Sequence, residues 1–463
     1  MLDDSVGPSS GGEAGLQSPD VTIKSITDMD EEAHIGTPLL AEKTRTVQES
    51  VAKIKHSLAS SVSGVFSFLF LIILTQLALL SYFFTIYIRR VHKYSPSSQR
   101  AYPIEHPHRR LDLQYYVELL GLELYQYKLT TKDGFVIVMN RIVNTHVSHQ
   151  GKKPILLIHG LLQSSGSFIS GGYKSLAYLL IQNGYDVWLG NNRCGFHPQH
   201  VEYNDFDPKM WDWDLTEMCK FDLTCMIDQI LKITQYQGKI SLLGHSQGTA
   251  EITMLLAREY HIGYEDKIDK CVLLAPAVYG GPTLNEKLFI KFMRYLPSQM
   301  FDIFFGVYSF IPLMMTMRRM MYSSDVYGLS SYAMFSYLFD SNDYHWDRQL
   351  RDIHFLFAPV YQSSKLMKWW LQGQGFRQGL PILKTDEPWF NDSTPELLLV
   401  VGGKDRLVDG NMFYDHIMAK EESMREKVRR LLIPDYNHLD VLWADSVQET
   451  VGKEMLTFLR GIE

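Results

Sequence analysis

The chain has 463 residues, 46% hydrophobic and 21% charged, the proportions of a globular protein with a large core and length for two or three domains. Its formal net charge of −7 excludes non-specific nucleic-acid binding, which needs a basic face. Four cysteines (Cys194, Cys219, Cys225 and Cys271) are too few for a disulfide scaffold and lack metal-ligand spacing, so they read as structural thiols.

Residues 1–56 form a polar tail rich in Ser, Gly, Asp and Glu, and a composition without apolar periodicity predicts disorder. Residues 57–88 carry no charge and centre on Val65-Phe66-Ser67-Phe68-Leu69-Phe70-Leu71-Ile72-Ile73-Leu74. A helix of that length exceeds the roughly 20 residues that cross a bilayer core, so a transmembrane or membrane-embedded segment is expected. It starts far from Met1 and lacks the small-residue pattern of a cleaved signal. Lys53 and Lys55 flank one end and Arg89, Arg90 and Lys93 the other, a slight bias towards a cytosolic C-terminal part. A hairpin in one leaflet is the other arrangement, although no proline marks its tip. Residues 89–112 read as a linker, and 113–463 as one α/β unit with a cap inserted at about 279–395.

Within that unit, residues 125–142 predict a β-hairpin turning at Lys132-Asp133-Gly134. Buried-type strands follow at 154–158, 185–190, 271–276, 396–401 and 428–433, with helical stretches between them. Strands alternating with helices predict the α/β class: a mostly parallel sheet covered by helices on both faces.

One further strand ends in Gly244-His245-Ser246-Gln247-Gly248, and residues 250–260 read as a helix. Gly-x-Ser-x-Gly between a strand and a helix is the nucleophile elbow of an α/β-hydrolase fold, a turn so sharp that only glycine fits on both sides of Ser246. Acyl transfer by a serine needs a base for its proton, an acid to orient that base, and donors for the oxyanion. In this fold the order along the chain is nucleophile, acid, base. Asp405 follows the strand 396–401 through Gly402-Gly403-Lys404, and His438 follows the last strand, so Ser246, Asp405 and His438 stand in the required order. Asp409 competes for the acid role but sits further past its strand. The oxyanion donors expected are the backbone N–H groups of Gln247 and of Leu161, in the loop after the strand 154–158. His159 precedes the nucleophile, against the fold's order, and reads as a residue that organises this loop. No metal or organic cofactor is required by this chemistry.

These motifs resemble the acid-lipase family of α/β-hydrolases, which includes gastric and lysosomal lipases, and more closely its membrane-anchored fungal steryl ester hydrolases. The likeness runs from about Leu113 to the C-terminus. It rests on Leu129-Thr130-Thr131-Lys132-Asp133-Gly134-Phe135, His159-Gly160-Leu161-Leu162-Gln163-Ser164-Ser165, Trp188-Leu189-Gly190-Asn191-Asn192-Arg193, and Trp213-Asp214-Leu215-Thr216-Glu217-Met218 with Phe221-Asp222-Leu223. Gly402-Gly403-Lys404-Asp405-Arg406-Leu407-Val408-Asp409 and Asn437-His438-Leu439-Asp440 complete it beside the elbow. The resemblance implies the same triad. Two departures limit it. Cys194-Gly195-Phe196-His197-Pro198 replaces the Gly-Asn-Thr that usually follows the arginine in secreted relatives, and a retained membrane segment replaces their cleaved signal. Acidic pH preference and lysosomal residence are therefore not implied.

The insertion at about 279–395 is where this fold carries a lid, and its run Ile311-Pro312-Leu313-Met314-Met315-Thr316-Met317-Arg318-Arg319-Met320-Met321 suits either a cap core or a surface for varied apolar ligands. The expected function is a membrane-anchored serine lipase that hydrolyses neutral lipid esters, steryl esters first and triacylglycerols second, with cap opening as the gate. Its expected partner is neutral lipid at a membrane or lipid-droplet surface. The expected site is a lipid droplet, the endoplasmic reticulum or the plasma membrane, without secretion. An acyltransferase on the same elbow and a catalytically silent membrane scaffold are the alternatives.

Overall fold

The computed structural model describes residues 61–84, 100–148, 151–376 and 379–462. The polar tail expected over 1–56, the ends of the 57–88 segment and much of the 89–112 linker lie outside the described residues.

Eight strands form one sheet: β1 (Glu123–Thr130), β2 (Val136–Val143), β3 (Pro154–Ile158), β4 (Asp186–Gly190), β5 (Ile240–His245), β6 (Ile268–Leu274), β7 (Glu396–Gly402) and β8 (Val428–Ile433). Their spatial order is β1-β2-β4-β3-β5-β6-β7-β8. The β1–β2 hairpin is antiparallel, β2 pairs antiparallel with β4, and every other pairing is parallel. Every residue of β3, β4 and β5 is buried, which is why these strands read as mostly apolar runs, broken by Asp186 in β4 and by Ser241 and His245 in β5. At the edge, β8 alternates between covered and more exposed positions, as a strand with one wet face does.

Two elements differ from their sequence expectation. The helix after the elbow, α2 (Gln247–Leu256), starts directly behind Ser246. It stops where Ala257 becomes extended and the Arg258 N–H donates to the Trp389 carbonyl at 2.8 Å, so residues 258–260 form a separate short turn. Strand β6 begins three residues before the expected Cys271 and ends at Leu274, because Ala275 takes a positive φ of 48° and turns the chain away.

Ahead of the sheet stands α1 (Ser61–Phe84), 24 residues whose most apolar stretch has a mean hydropathy of 2.2, long and apolar enough to cross a membrane. Between β6 and β7 the described residues include seven α-helices. Five matter below: α3 (Leu288–Tyr295), α4 (Ser298–Phe305), α5 (Leu313–Met321), α6 (Asp325–Phe339) and α7 (Ser364–Leu371). The α5 methionines divide their roles, since a nine-residue helix cannot point five neighbours one way. Met314 faces the cavity described next, Met315 is buried in the cap, and Met317 and Met320 are exposed.

Candidate active site

Parallel pairing places the carboxyl ends of β3, β5, β7 and β8 along one edge of the sheet, and each contributes to one cluster. Strand β5 delivers Ser246 with φ 51° and ψ −116°, a strained backbone of the kind held at functional sites. The flanking glycines permit it. A Cβ on Gly244 would lie 2.7 Å from the Gly248 carbonyl carbon, and one on Gly248 would lie 2.3 Å from the Ile158 oxygen.

Ser246 Oγ lies 2.9 Å from His438 Nε2, and His438 Nδ1 lies 2.8 Å from Asp405 Oδ2. All three side chains are buried. The other Asp405 oxygen accepts the N–H groups of Leu407 at 2.9 Å and Val408 at 3.2 Å, which fixes the carboxylate plane. Asp409 is employed elsewhere: it caps the helix Gly410–Lys420 by accepting the Met412 N–H at 2.9 Å.

Gln247 is the first residue of α2, where backbone N–H groups have no intrahelical acceptor and the helix dipole favours negative charge. Leu161 stands in the loop after β3, and both residues line the same cavity as Ser246 and His438. Around them two buried histidines tie the loops together. His159 Nδ1 lies 2.9 Å from the Gly160 carbonyl, and its Nε2 accepts the Asn192 N–H at 3.3 Å. The His245 ring lies between Gln163 Oε1 at 3.0 Å and the His438 carbonyl at 3.2 Å, and as a neutral ring donates to one of these two acceptors, packing together the β3, β5 and β8 loops. Burial lowers His159 to about 4 and His245 to about 3, so both are neutral near pH 7.

Two buried networks were not legible in the sequence. Arg193, stacked 4.1 Å over Phe135, pairs with Asp222 at 2.7 Å and Asp133 at 2.8 Å, holding the hairpin against the loop after β4. Glu251, one turn beyond the elbow, accepts from Asn192 Nδ2 at 2.7 Å and Gln247 Nε2 at 3.2 Å. Gln247 Oε1 in turn accepts Trp370 Nε1 at 3.0 Å, so this chain runs from the elbow into cap helix α7. Arginine, glutamate and aspartate usually signal surface, and apart from the Gln247–Glu251 pair, four residues apart on one helix, the partners are 29 to 123 residues apart and leave no local pattern.

Burial and the nearby Asp222 charge push Glu251 up to about 8, and burial likewise raises Asp440 to about 8. Both carboxyls keep a proton in the folded state that the unfolded chain loses above its ordinary carboxyl pKa. Their stabilisation is thus complete below about pH 4 and fades as pH rises through about 8. Glu251→Gln keeps the acceptor oxygen and removes the titration. The melting temperature of the variant is expected to fall less between pH 5.5 and pH 8 than that of the wild type. Parallel melting curves across that range would show that Glu251 is ionised in the fold.

The cavity at Ser246 is roofed by the cap. Its polar side chains other than tryptophan are Ser331 and the cluster Gln163, His245, Ser246, Gln247 and His438, and no Asp, Glu, Lys or Arg lies on its described wall. Among the described residues no group of His, Cys, Asp and Glu side chains is arranged to hold a metal ion.

A family model of the α/β-hydrolase fold matches residues 153–445, and one of a partial α/β-hydrolase lipase region matches residues 113–172. Sterol esterase 2 of Saccharomyces cerevisiae is 40% identical over 393 residues, covering 75% of this chain and 72% of that protein. Human gastric triacylglycerol lipase is 27% identical over 377 residues, covering 76% of this chain and 92% of the lipase. The chain belongs to the acid-lipase family of α/β-hydrolases. A probable lipase of Schizosaccharomyces pombe, 29% identical over 391 residues and matched over 80% of each chain, extends the similarity. As an acid-lipase family member, the protein is a carboxylic ester hydrolase acting on lipid esters.

Proposed function

We propose that this acid-lipase relative hydrolyses steryl esters to sterol and fatty acid at a membrane surface, with Ser246, His438 and Asp405 as its triad. The observation that carries the reading is the cavity wall, which is uncharged and, apart from Ser331 and the tryptophans, apolar away from the cluster around Ser246. An uncharged, bulky ester leaves no polar group stranded on such a wall, whereas a charged substrate would find no counter-ion. The similarity to a sterol esterase supports the choice of steryl ester. The outward apolar face of α1 supports the choice of a lipid surface.

Ser246 Oγ attacks the acyl carbonyl while His438 Nε2 takes its proton, and the N–H groups of Gln247 and Leu161 hold the oxyanion. Collapse of the tetrahedral intermediate breaks the ester bond, and His438 returns the proton to the departing sterol oxygen. Water then attacks the acyl-Ser246 ester while His438 takes its proton, and as the second tetrahedral intermediate collapses His438 returns that proton to Ser246 Oγ and fatty acid leaves. Asp405 keeps the imidazole in the tautomer that leaves Nε2 free to accept.

Steryl oleate and trioleoylglycerol, each with labelled acyl groups, presented to wild type and Ser246→Ala in the same vesicles, test this. Free labelled oleate is expected, faster from the steryl ester and absent with Ser246→Ala. Faster release from trioleoylglycerol would replace steryl ester as the substrate. A labelled ester of an added alcohol outpacing free oleate would make the enzyme an acyltransferase, and release insensitive to Ser246→Ala would remove the triad.

A further inference from the structure

A helix that serves only to hold a protein in lipid needs apolar residues on all faces and no particular partner. Helix α1 has more than that. Ser63, Ser67, Leu71, Leu74 and Ala78 are buried, a stripe at spacings of three and four that marks one helical face. Ser67 Oγ donates to the Phe304 carbonyl at 2.9 Å and Ser63 Oγ to that of Asp302 at 3.3 Å, both in the last turn of α4, where the Asp302 carbonyl also accepts the Gly306 N–H at 3.0 Å. The Phe70 ring stacks on Phe289 of α3 at 4.9 Å and meets Phe305 of α4 edge-on at 5.1 Å. Further along, Thr75 Oγ1 lies 3.4 Å from the Met334 sulfur and Tyr82 meets Tyr332 at 5.7 Å, both on α6.

The same face reaches the chemistry. Phe70, Leu71 and Leu74 line the cavity that holds Ser246 and His438, opposite cap residues such as Phe335 and Met334. The other face, including Phe68, Leu69, Ile73 and Leu80, is exposed. Exposed Leu288 and Phe292 on α3 and Ile303 on α4 add apolar surface, and Phe66 and Phe292 both contact Phe304. Contacts from Ser63 to Tyr82 span about 28 Å of helix at 1.5 Å per residue, so lipid against the outer face of α1 also meets the cap beside it.

We propose that α1 is a wall of the substrate site as well as an anchor. Phe70, Leu71 and Leu74 contact the apolar body of the ester and help set which esters fit. The seam between α1 and the cap is the path from lipid to Ser246. A water-insoluble ester then never crosses water, and its desolvation is complete before it reaches the nucleophile. This rests on the lipid-ester reading above.

The test uses the full chain in vesicles. Leu71→Trp and Leu74→Trp put bulk into the cavity, while Leu69→Trp and Ile73→Trp add the same bulk to the exposed face. The readout is the ratio of kcat/KM for steryl oleate to kcat/KM for the soluble short ester p-nitrophenyl butyrate. The inward variants are expected to lower that ratio at least tenfold and the outward pair to leave it within twofold. Equal ratios for the inward and outward pairs would overturn the proposal.

Should the inward variants lose both activities through misfolding, a steryl ester carrying a diazirine on its acyl chain decides the matter. Irradiated with Ser246→Ala protein, it is expected to label the α1 peptide, and labelling confined to other peptides refutes the α1 wall. If wild type cleaves p-nitrophenyl butyrate but no long-chain ester, the proposed function falls, and photolabelling still reports on α1 by itself.

Discussion

Ser246→Ala is expected to lower kcat for ester hydrolysis by about 10⁶, and His438→Ala about as much, because in the proposed triad neither residue acts without the other. The geometry is the reason: Ser246 lies 2.9 Å from His438 Nε2, which places that nitrogen to take its proton, and without Ser246 no acyl-enzyme can form for the imidazole to act on. The double variant is expected to be no slower than either single one. A residual acceleration of about 10³ over water remains from binding and from the oxyanion donors. Asp405→Asn costs less, on the order of 10⁴, since an amide at 2.8 Å from Nδ1 favours the wrong tautomer but leaves every atom in place. Hydrolysis rates with a fluorescent long-chain ester, together with fluorophosphonate labelling, measure all four proteins. Losses that add up in the double variant would show that the two residues do not work as one unit. The melting temperature of Ser246→Ala should stay close to wild type, because the Ser246 side chain is small and its removal strands only one hydrogen bond.

Gly248→Ala is expected to damage both stability and turnover, although it adds a single methyl group. The new Cβ would sit 2.3 Å from the Ile158 oxygen, 2.9 Å from the Ile158 carbonyl carbon and 3.0 Å from the His159 oxygen. These are backbone atoms, so no side-chain rotation relieves the overlap. Helix α2 must move off the end of β3, which separates Ser246 and Gln247 from the loop that carries Leu161. Overpacking of this kind costs about 1–3 kcal/mol of stability. A shift near 1 Å in the reacting groups costs about 10²-fold in kcat. Gly184→Ala is the control: its φ of 86° also resists a side chain, but a Cβ there meets open space and lies far from the elbow. It should lower the melting temperature while leaving kcat near wild type. A Gly248→Ala enzyme with wild-type kcat would mean that the elbow tolerates a wider turn than its packing indicates.

Much of this arrangement was legible in the residues. Pattern marks β3 and β8 to the residue, β3 as an apolar run and β8 as apolar residues flanking Arg429 and Arg430, each stopping at a turn signal. The elbow needed only two glycines around Ser246, and Asp405 and His438 followed from chain order and from standing just past strand ends. For the 57–88 segment, hydropathy alone predicted an apolar helix, and α1 lies within it.

Pattern also has a limit, set by what burial leaves in a sequence. Periodicity records that a side chain is covered, and says nothing about what covers it. Nothing local told that Glu251 meets Asn192, that Arg193 meets Asp222, or that Met314 faces the cavity while Met320 does not. The early end of α2 follows from a hydrogen bond to Trp389, 131 residues away in the chain numbering of its two partners, Arg258 and Trp389. Helix α1 makes the point most directly. All its faces are apolar, so its sequence determined that it could sit in lipid. Which face meets the cap, and that Phe70, Leu71 and Leu74 reach the chamber of Ser246, only tertiary packing decided, because packing is a property of two surfaces and the sequence of one helix describes a single one of them.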